Sequence, residues 1–330
     1  MRRLMAWVLF VLMVAGPSPA WAYLKLGSSV GGRIVDMTWH QQPIRYFVSD
    51  RDGPGVTAAE LRGAIGRATA TWQAVTTATA RFEFQGVTSA SPDAIDGRTT
   101  IGFLDRPDLD RVLGATSFIL DTTTGAIVEA DIFFNARFAW SVAPQGETGR
   151  VDLESVALHE FGHLLGLSHS AIGETERSGA SGRRVTASGS VMFPIAMTAG
   201  AIADRVLQAD DIAGISDLYP AAGMLDTTGS LTGRVTKGGQ GVVGAHVVAF
   251  NPETGVLVGN FALNEKGEFV IARLTPGPYV LRAEPLDDAD VESFFSAPVD
   301  VDFRVGYAST LVVAPRGGSS SPVEIKVRAK

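Results

Sequence analysis

Residues 151–170 read VDLESVALHEFGHLLGLSHS, and they place three histidines and a glutamate in an otherwise apolar stretch. His159 and His163 stand four residues apart, so a helix projects both side chains from one face and lets them reach a single ion. Gly166 falls where this helix should end, because a residue without Cβ adopts the left-handed C-cap conformation at no steric cost. The chain can then turn sharply and bring His169 back as a third ligand.

The length of the motif separates metal binding from a chance match. A single histidine in an apolar helix is usually a core residue satisfied by a hydrogen bond, and HExxH alone arises in many unrelated chains. The full HExxHxxGxxH pattern has an accidental probability on the order of 10⁻⁵ in a chain of this length and composition. We therefore interpret the segment as a zinc-binding active-site helix, with Glu160 beside the space where a metal-bound water would lie.

Composition limits the other kinds of chemistry. The chain has 330 residues, 45% apolar and 19% charged, which is ordinary globular material and long enough for two domains. Its net charge of -7 and pI near 5.3 disfavour a nucleic-acid partner, and there is no basic run. Cysteine is absent, which excludes disulfides, thiolate ligands and thiol catalysis.

The first 22 residues have the pattern of a secretory signal peptide. Two arginines precede an apolar run over residues 4–15, and an Ala-Trp-Ala site ends at Ala22. The run is shorter than the roughly 20 residues that span a bilayer, which disfavours a membrane anchor. We predict a mature protein that begins at Tyr23, carries no membrane anchor, and is secreted to the extracellular medium or a periplasm.

The region up to residue 220 mixes strand and helix patterns. Thr57 and Glu60 form a capping box, and apolar residues follow at helical spacing from Leu61 to Val75. A strand, a helix, several strands and then a second helix indicate an α+β fold rather than a doubly wound sheet. The predicted strands cover residues 44–48, 82–84, 100–104, 115–120 and 126–134.

Local signals also surround the histidine motif. Asp152 is predicted to be the N-cap of the active-site helix. The run over residues 170–190 is rich in Gly, Ser and Arg, which indicates a mobile loop beside the cleft. A last helix is predicted over about residues 207–219.

Three carboxylates in one loop raise the question of calcium. Asp105, Asp108 and Asp110 precede the strand predicted at residue 115 and could ligate Ca²⁺. Solvated loop carboxylates are the commoner explanation of such a group, so both interpretations stay open.

At this point the sequence resembles the matrixin-type metzincins, zinc endopeptidases of the matrix metalloproteinase kind. HEFGHLLGLSHS matches their extended zinc motif, Ser170 is the matrixin choice after the third histidine, and Met192 in SVMFP stands where the family has its Met-turn. The segment DDIAGISDLY resembles the family's C-terminal helix. The resemblance covers roughly residues 39–219 and implies a zincin fold, with a mixed sheet and three helices, for a domain over residues 23–220.

The resemblance also implies roles for individual residues. His159, His163 and His169 would hold one catalytic zinc, Glu160 would be the general base, and Met192 would form an apolar floor beneath the metal. Animal matrixins bind a second, structural zinc through additional histidines. Only His40 and His246 remain outside the motif here, so we expect that ion to be missing. Latency through a propeptide cysteine is excluded as well.

Beyond residue 220 the pattern changes to short strands divided by turn residues. Predicted strands at residues 231–236, 245–251, 257–263, 268–273 and 279–283 indicate an all-β sandwich domain over residues 221–330, with further candidates at 300–305, 310–313 and 323–327. The pattern resembles the carboxypeptidase regulatory-like (transthyretin-like) module. Because it starts within about ten residues of the last helix, we expect it to be docked on the catalytic domain, without a part in the active site.

Together these features predict a monomeric, secreted zinc-dependent endopeptidase that acts on protein or peptide substrates. The alternative is an inactive zincin-fold adhesion or binding protein in which the sandwich does the work. A zinc amidase is a weaker third reading, because the third histidine and the Met-turn point to the endopeptidases.

Overall fold

The computed structural model describes residues 25–177, 183–287, 291–295 and 298–330. The predicted signal peptide, residues 1–22, lies outside this part of the chain. From Gly27 to Leu218 the chain has an α+β architecture. Its elements are β1 (Gly27–Val30), β2 (Arg33–Asp36), β3 (Ile44–Ser49), α1 (Ala58–Gln73), β4 (Phe82–Thr88), β5 (Thr99–Leu104), β6 (Gly114–Leu120), β7 (Ile127–Asn135), β8 (Trp140–Ser141), β9 (Val151–Asp152), α2 (Leu153–Leu164), β10 (Gly173–Arg177), β11 (Arg183–Ser188), a 3₁₀ turn (Ala203–Arg205) and α3 (Ala209–Leu218).

The central sheet has five strands in the order β4-β3-β5-β7-β6. Four of them run parallel, and β6 pairs antiparallel with β7, so the sheet is mixed as predicted. The five strands predicted from the sequence are confirmed, although β4 continues four residues beyond the prediction. Strand β6 lies at the edge of the sheet, which leaves one of its sides open to the cleft described below.

Helices α1 and α2 pack against each other over this sheet. The predicted capping box is present, since Glu60 N donates to Thr57 Oγ1 and Thr57 N donates to Glu60 Oε2. Trp72 is buried between the two helices and donates its Nε1–H to Leu158 O at 2.9 Å. Across the described residues, no helix has the length and apolar character needed to cross a bilayer.

The prediction of a mobile loop over residues 170–190 is wrong for most of its length. Strands β10 and β11 pair antiparallel, from Gly173 opposite Ser188 to Arg177 opposite Arg183. The pairing of the two strands is made by backbone N–H and C=O groups, which every residue type here provides. Among the described residues of these strands, only Val185 is a buried apolar side chain. A composition poor in apolar residues therefore concealed the two strands.

The C-terminal region, defined as residues 221–330, contains two five-stranded sheets. Apolar side chains from both sheets share one core. The predicted strand at residues 300–305 is wrong, since that segment makes only a bridge from Arg304 to Arg328. The elements are α4 (Met224–Thr227), β12 (Gly229–Lys237), β13 (Gln240–Gly241), β14 (His246–Phe250), β15 (Leu257–Phe261), β16 (Glu268–Leu274), β17 (Gly277–Glu284), a 3₁₀ turn (Val291–Ser293), β18 (Gly306–Tyr307), β19 (Val312–Ala314), β20 (Gly318–Ser319) and β21 (Val323–Val327). One sheet has the order β13-β12-β16, with β20 and β21 also paired to β12. The other has the order β15-β14-β17-β18, with β19 also paired to β17.

The C-terminal region is docked on α3, as the short connection predicts. Asp217 of α3 lies 2.8 Å from the buried Lys25 ammonium and 2.9 Å from Arg273 Nε of β16. The Arg273 contact is an ion pair whose orientation does not make a hydrogen bond. Asp210, in the first turn of α3, accepts the Gly259 N–H of β15 at 2.8 Å. These contacts fix the C-terminal region against the part of the chain that carries the histidines.

Candidate metal centre

Local capping sets the two ends of α2. Asp152 is the N-cap, as predicted, and its carboxylate accepts the Ser155 N–H at 2.9 Å. At the other end Gly166 has φ of 100° and donates its N–H to His163 O. A Cβ at Gly166 would lie 2.1 Å from Met37 O, so the turn that returns the chain toward the helix accepts only glycine.

The turn brings the three predicted histidines together. One ring nitrogen from each of His159, His163 and His169 can be chosen so that all three lie within 4.8 Å of one another. His163 Nε2 and His169 Nε2 are 3.2 Å apart. Two nitrogens each about 2.0–2.1 Å from a tetrahedral ion would be separated by roughly 3.3 Å, so this spacing fits zinc.

Hydrogen bonds fix the tautomer of each ring. The Nδ1 atoms of His159, His163 and His169 lie 2.7, 2.9 and 2.6 Å from the carbonyl oxygens of Val191, Leu167 and Ser293, respectively. A carbonyl only accepts, so each Nδ1 carries a proton and each Nε2 carries a lone pair. Two lone pairs that face each other at 3.2 Å repel unless a cation lies between them.

Burial also keeps the imidazoles neutral. It lowers the pKa of His159 to about 3, and it lowers the pKa values of His163 and His169 as well. For the first two rings, the neighbouring histidines add to this effect. Neutral rings with directed lone pairs form a donor set that suits zinc, and the three residues therefore fit the predicted ion.

Glu160 lies in the same cleft as the histidines and is 4% exposed. Burial raises the pKa of its carboxyl to about 7, while a hydrogen bond from Thr116 Oγ1, 2.8 Å from Glu160 Oε2, opposes the rise. Gly114 lies next to this carboxylate, since a Cβ there would be 3.2 Å from Glu160 Oε1. Strand β6 therefore both orients the carboxylate and leaves room for it.

Met192 lies beneath α2. It is 2% exposed, and a Cβ at Gly162 would come 2.2 Å from Met192 Sδ, so the thioether fills the space that the helical glycine leaves. The turn that carries Met192 is held by Asp211, which accepts from Ser190 Oγ and from the Val191 N–H at 2.6 and 2.9 Å. Val191 O is in turn the acceptor for His159, so Asp211 supports a histidine through this turn.

The loop after His169 has its own carboxylate partner. Ser170 Oγ donates to Asp210 Oδ2 at 2.6 Å, and Ser170 N donates to Met192 O. Asp210 also accepts the Gly259 N–H of the C-terminal region. Burial raises the pKa of Asp210 to about 7 in spite of these two donors.

An open cleft gives access to the cluster. One wall is β6 with Thr116 and Phe118, the floor includes the three histidines and Glu160, and the segment over residues 193–199 forms part of the opposite wall. Glu292, Ser293 and Phe295 of the C-terminal region also line it. The expectation that this region takes no part in the site is therefore wrong.

Two of the three predicted calcium ligands have arginine partners. Asp108 lies 2.6 Å from Arg106, and Asp105 lies 2.5 Å from Arg137. Within the described ranges, the three histidines are the only group of at least three metal-ligating side chains close enough to share an ion. Calcium at Asp105, Asp108 and Asp110 stays a prediction without support from these contacts.

Comparison with known proteins finds a family likeness over the part of the chain that carries the histidines. A sequence model of the Matrixin family matches residues 38–177, which include Glu160 and all three histidines and end before Met192. The metalloendoproteinase 2-MMP of Arabidopsis thaliana is 34% identical over 132 residues, 37% of this chain and 29% of that protein. The metalloendoproteinase 5-MMP of the same plant is 44% identical over 71 residues, 21% of this chain and 14% of that protein. Residues 38–177 are thus similar to the Matrixin family.

These relatives are matched only in part, since the chain spans less than a third of either protein's length. Among solved structures, the TIE protein of Bacillus anthracis aligns over 31% of this chain and 17% of its own, with 14% identity and a TM-score of 0.22. That likeness is too weak to bear on the fold. The C-terminal region lies outside the family match.

Proposed function

We propose that this protein is a secreted zinc endopeptidase, with His159, His163 and His169 as the zinc ligands and Glu160 as the general base. The observation that carries the proposal is the set of three neutral imidazoles, whose lone pairs face one point beside a buried carboxylate in an open cleft. The matrixin domain and the names of its relatives support the same activity.

Bound zinc would supply a Lewis acid that polarises the scissile carbonyl and acidifies water. Glu160 would accept a proton and later return it to the leaving amine. Thr116 would hold that carboxylate in one orientation. The free edge of β6 would bind an extended peptide by adding it to the sheet as a further strand.

Secretion rests on the signal-peptide pattern of residues 1–22. We further propose that residues 23–220 form the catalytic domain and residues 221–330 a β-sandwich domain, because each part has its own large apolar core, while a smaller third cluster joins the two. The zincin architecture is supported by the mixed sheet and the three long helices of the first part.

The test compares zinc content with peptide cleavage in wild type and three variants. Wild type should hold about one zinc per chain and cleave members of a fluorogenic peptide library. Glu160→Gln should keep the zinc and lose roughly 10²-fold or more in kcat/KM, whereas His163→Ala should lose zinc and activity together. Glu83→Gln, an exposed glutamate on β4, is the control and should match wild type.

Two results would refute the proposal. One is a zinc-loaded wild type that cleaves no peptide in a broad library, which would favour a binding protein. The other is a Glu160→Gln variant that cleaves as fast as wild type.

A further inference from the structure

The C-terminal region reaches the candidate metal centre through one turn. In the 3₁₀ turn Val291–Ser293, the Ser293 carbonyl accepts the Nδ1–H of His169 at 2.6 Å, across 124 residues of sequence. The ring of Phe294 contacts the same imidazole edge-on, with centroids 6.1 Å apart. The third histidine thus depends on a part of the chain outside the matrixin match for both its hydrogen bond and its packing.

The turn is well anchored. The N–H groups of Phe294 and Phe295 both donate to Val291 O at 2.9 Å, which closes the turn. Both rings are buried and pack on Phe261 of β15, at centroid distances of 5.6 and 5.1 Å. Because β15 is itself bound to Asp210 of α3 through Gly259, the turn is held at a fixed position relative to the histidines.

The other two histidines do not need this support. The acceptors for His159 and His163 are Val191 O and Leu167 O, which lie in the same part of the chain as α2. Metal-ligating histidines generally donate their second ring N–H to such a partner, and the partner fixes both the tautomer and the direction of the ring. Without Ser293 O, the His169 ring would lose both constraints.

We propose that the C-terminal region completes the metal centre by positioning His169 through Ser293 and Phe294. Ser293 and Phe294 are positioning residues that act through the imidazole. The inference rests on the proposed function only in taking the three histidines as zinc ligands, and it does not require that the protein be a peptidase.

The first experiment measures zinc affinity by competition with a chromogenic chelator, in the full-length protein. Phe294→Ala should weaken zinc binding by about 10-fold or more, the range found when an outer hydrogen-bonding partner is lost, and Phe294→Leu should restore part of it. The matched control is Phe269→Ala, which removes an equally buried ring from the core of the C-terminal region away from the site. It should change zinc affinity by less than about twofold.

The second experiment observes the hydrogen bond in the unsubstituted protein. In ¹⁵N-labelled, zinc-loaded wild type, imidazole NMR should show a proton on Nδ1 of His169 that exchanges slowly with solvent, and in Phe294→Leu it should exchange faster. A wild type without that protected proton would overturn the proposal. So would Phe294 variants that fold and bind zinc as tightly as wild type, or a Phe269→Ala variant that loses as much affinity as Phe294→Ala.

Cleavage assays distinguish this inference from the proposed function. If zinc affinity falls in Phe294→Ala but wild type cleaves no peptide, the positioning role is supported and the peptidase proposal is refuted. If wild type cleaves peptides but the Phe294 variants bind zinc as tightly as wild type, the peptidase proposal is supported and the positioning role is refuted.

Discussion

Replacing Asp210 by asparagine should change how stability depends on pH. Asp210 joins three parts of the molecule, because it lies on α3 and accepts hydrogen bonds from Ser170 beside His169 and from Gly259 of the C-terminal region. Burial raises its pKa from the ordinary value of 3.8 to about 7. The folded protein therefore keeps a proton on Asp210 over a pH range in which the unfolded chain has lost it.

The sign and size of the effect follow from proton linkage. The stability that a raised carboxyl pKa contributes is fully present below pH 3.8 and is lost as the pH rises through 7. Each unit of pKa shift corresponds to about 1.4 kcal/mol, so the whole range contributes about 4 kcal/mol as an upper limit. Between pH 5 and pH 7.5 the expected loss is about 2 to 3 kcal/mol.

Denaturant unfolding of the zinc-free protein at several pH values measures this quantity. Zinc is removed so that its own pH-dependent binding does not enter. Asp210→Asn also disturbs a hydrogen bond at every pH, so the informative quantity is the difference between the two pH profiles. The free energy of unfolding of wild type should fall relative to that of the variant by about 2 to 3 kcal/mol from pH 5 to pH 7.5. Asp226→Asn, at an exposed position of α4, controls for the removal of one negative charge. Parallel profiles for wild type and Asp210→Asn would refute the reasoning.

Three further substitutions test other contacts. Asp217→Asn removes the carboxylate charge that faces Lys25 and Arg273, and it should destabilise the protein by about 3 kcal/mol in denaturant unfolding. An unchanged unfolding midpoint would mean that these ion pairs contribute nothing to stability. Gly166→Ala places a Cβ against a backbone oxygen at positive φ and should lower both stability and zinc affinity, while Gly66→Ala, with open space in α1, should be neutral or slightly stabilising. Thr116→Val removes the hydrogen bond that lowers the pKa of Glu160, so the acidic limb of the kcat/KM profile should move to higher pH; a move to lower pH, or none, would contradict the assigned contact.

Where local structure depends on residues close together in the chain, the sequence predicts it well. The capping box at Thr57, the N-cap at Asp152 and the left-handed Gly166 are all found where the pattern placed them. Each of these signals acts within about one helical turn, so the residue types alone determine the outcome. The HExxHxxGxxH spacing belongs to the same kind of information, because a helix and one tight turn are enough to bring its histidines together.

Contacts made by backbone atoms at long range leave no such signal. The Ser293 carbonyl is an acceptor that any residue type would provide, and nothing in residues 291–295 marks it as the partner of His169. The hairpin at residues 173–188 escaped prediction for a related reason, since its pairing is made by the backbone. Thr116 lay in a correctly predicted strand, but strand periodicity does not indicate which side chain meets a distant glutamate.

The three candidate ligands consequently differ in how firmly the fold holds them. His159 and His163 are fixed by α2, whose ends are set by local capping. His169 follows the helix on a loop, and two contacts of this loop lead to the C-terminal region: Ser293 holds the His169 ring directly, and Asp210 joins the adjacent Ser170 to Gly259. Zinc would bind best when the loop holds His169 in place, and the contacts with the C-terminal region stabilise that same position of the loop. Zinc binding and docking of the C-terminal region should therefore strengthen each other. The C-terminal region is on this account part of the metal centre's support, and its contacts with α3 through Arg273 and Gly259 hold that support in place.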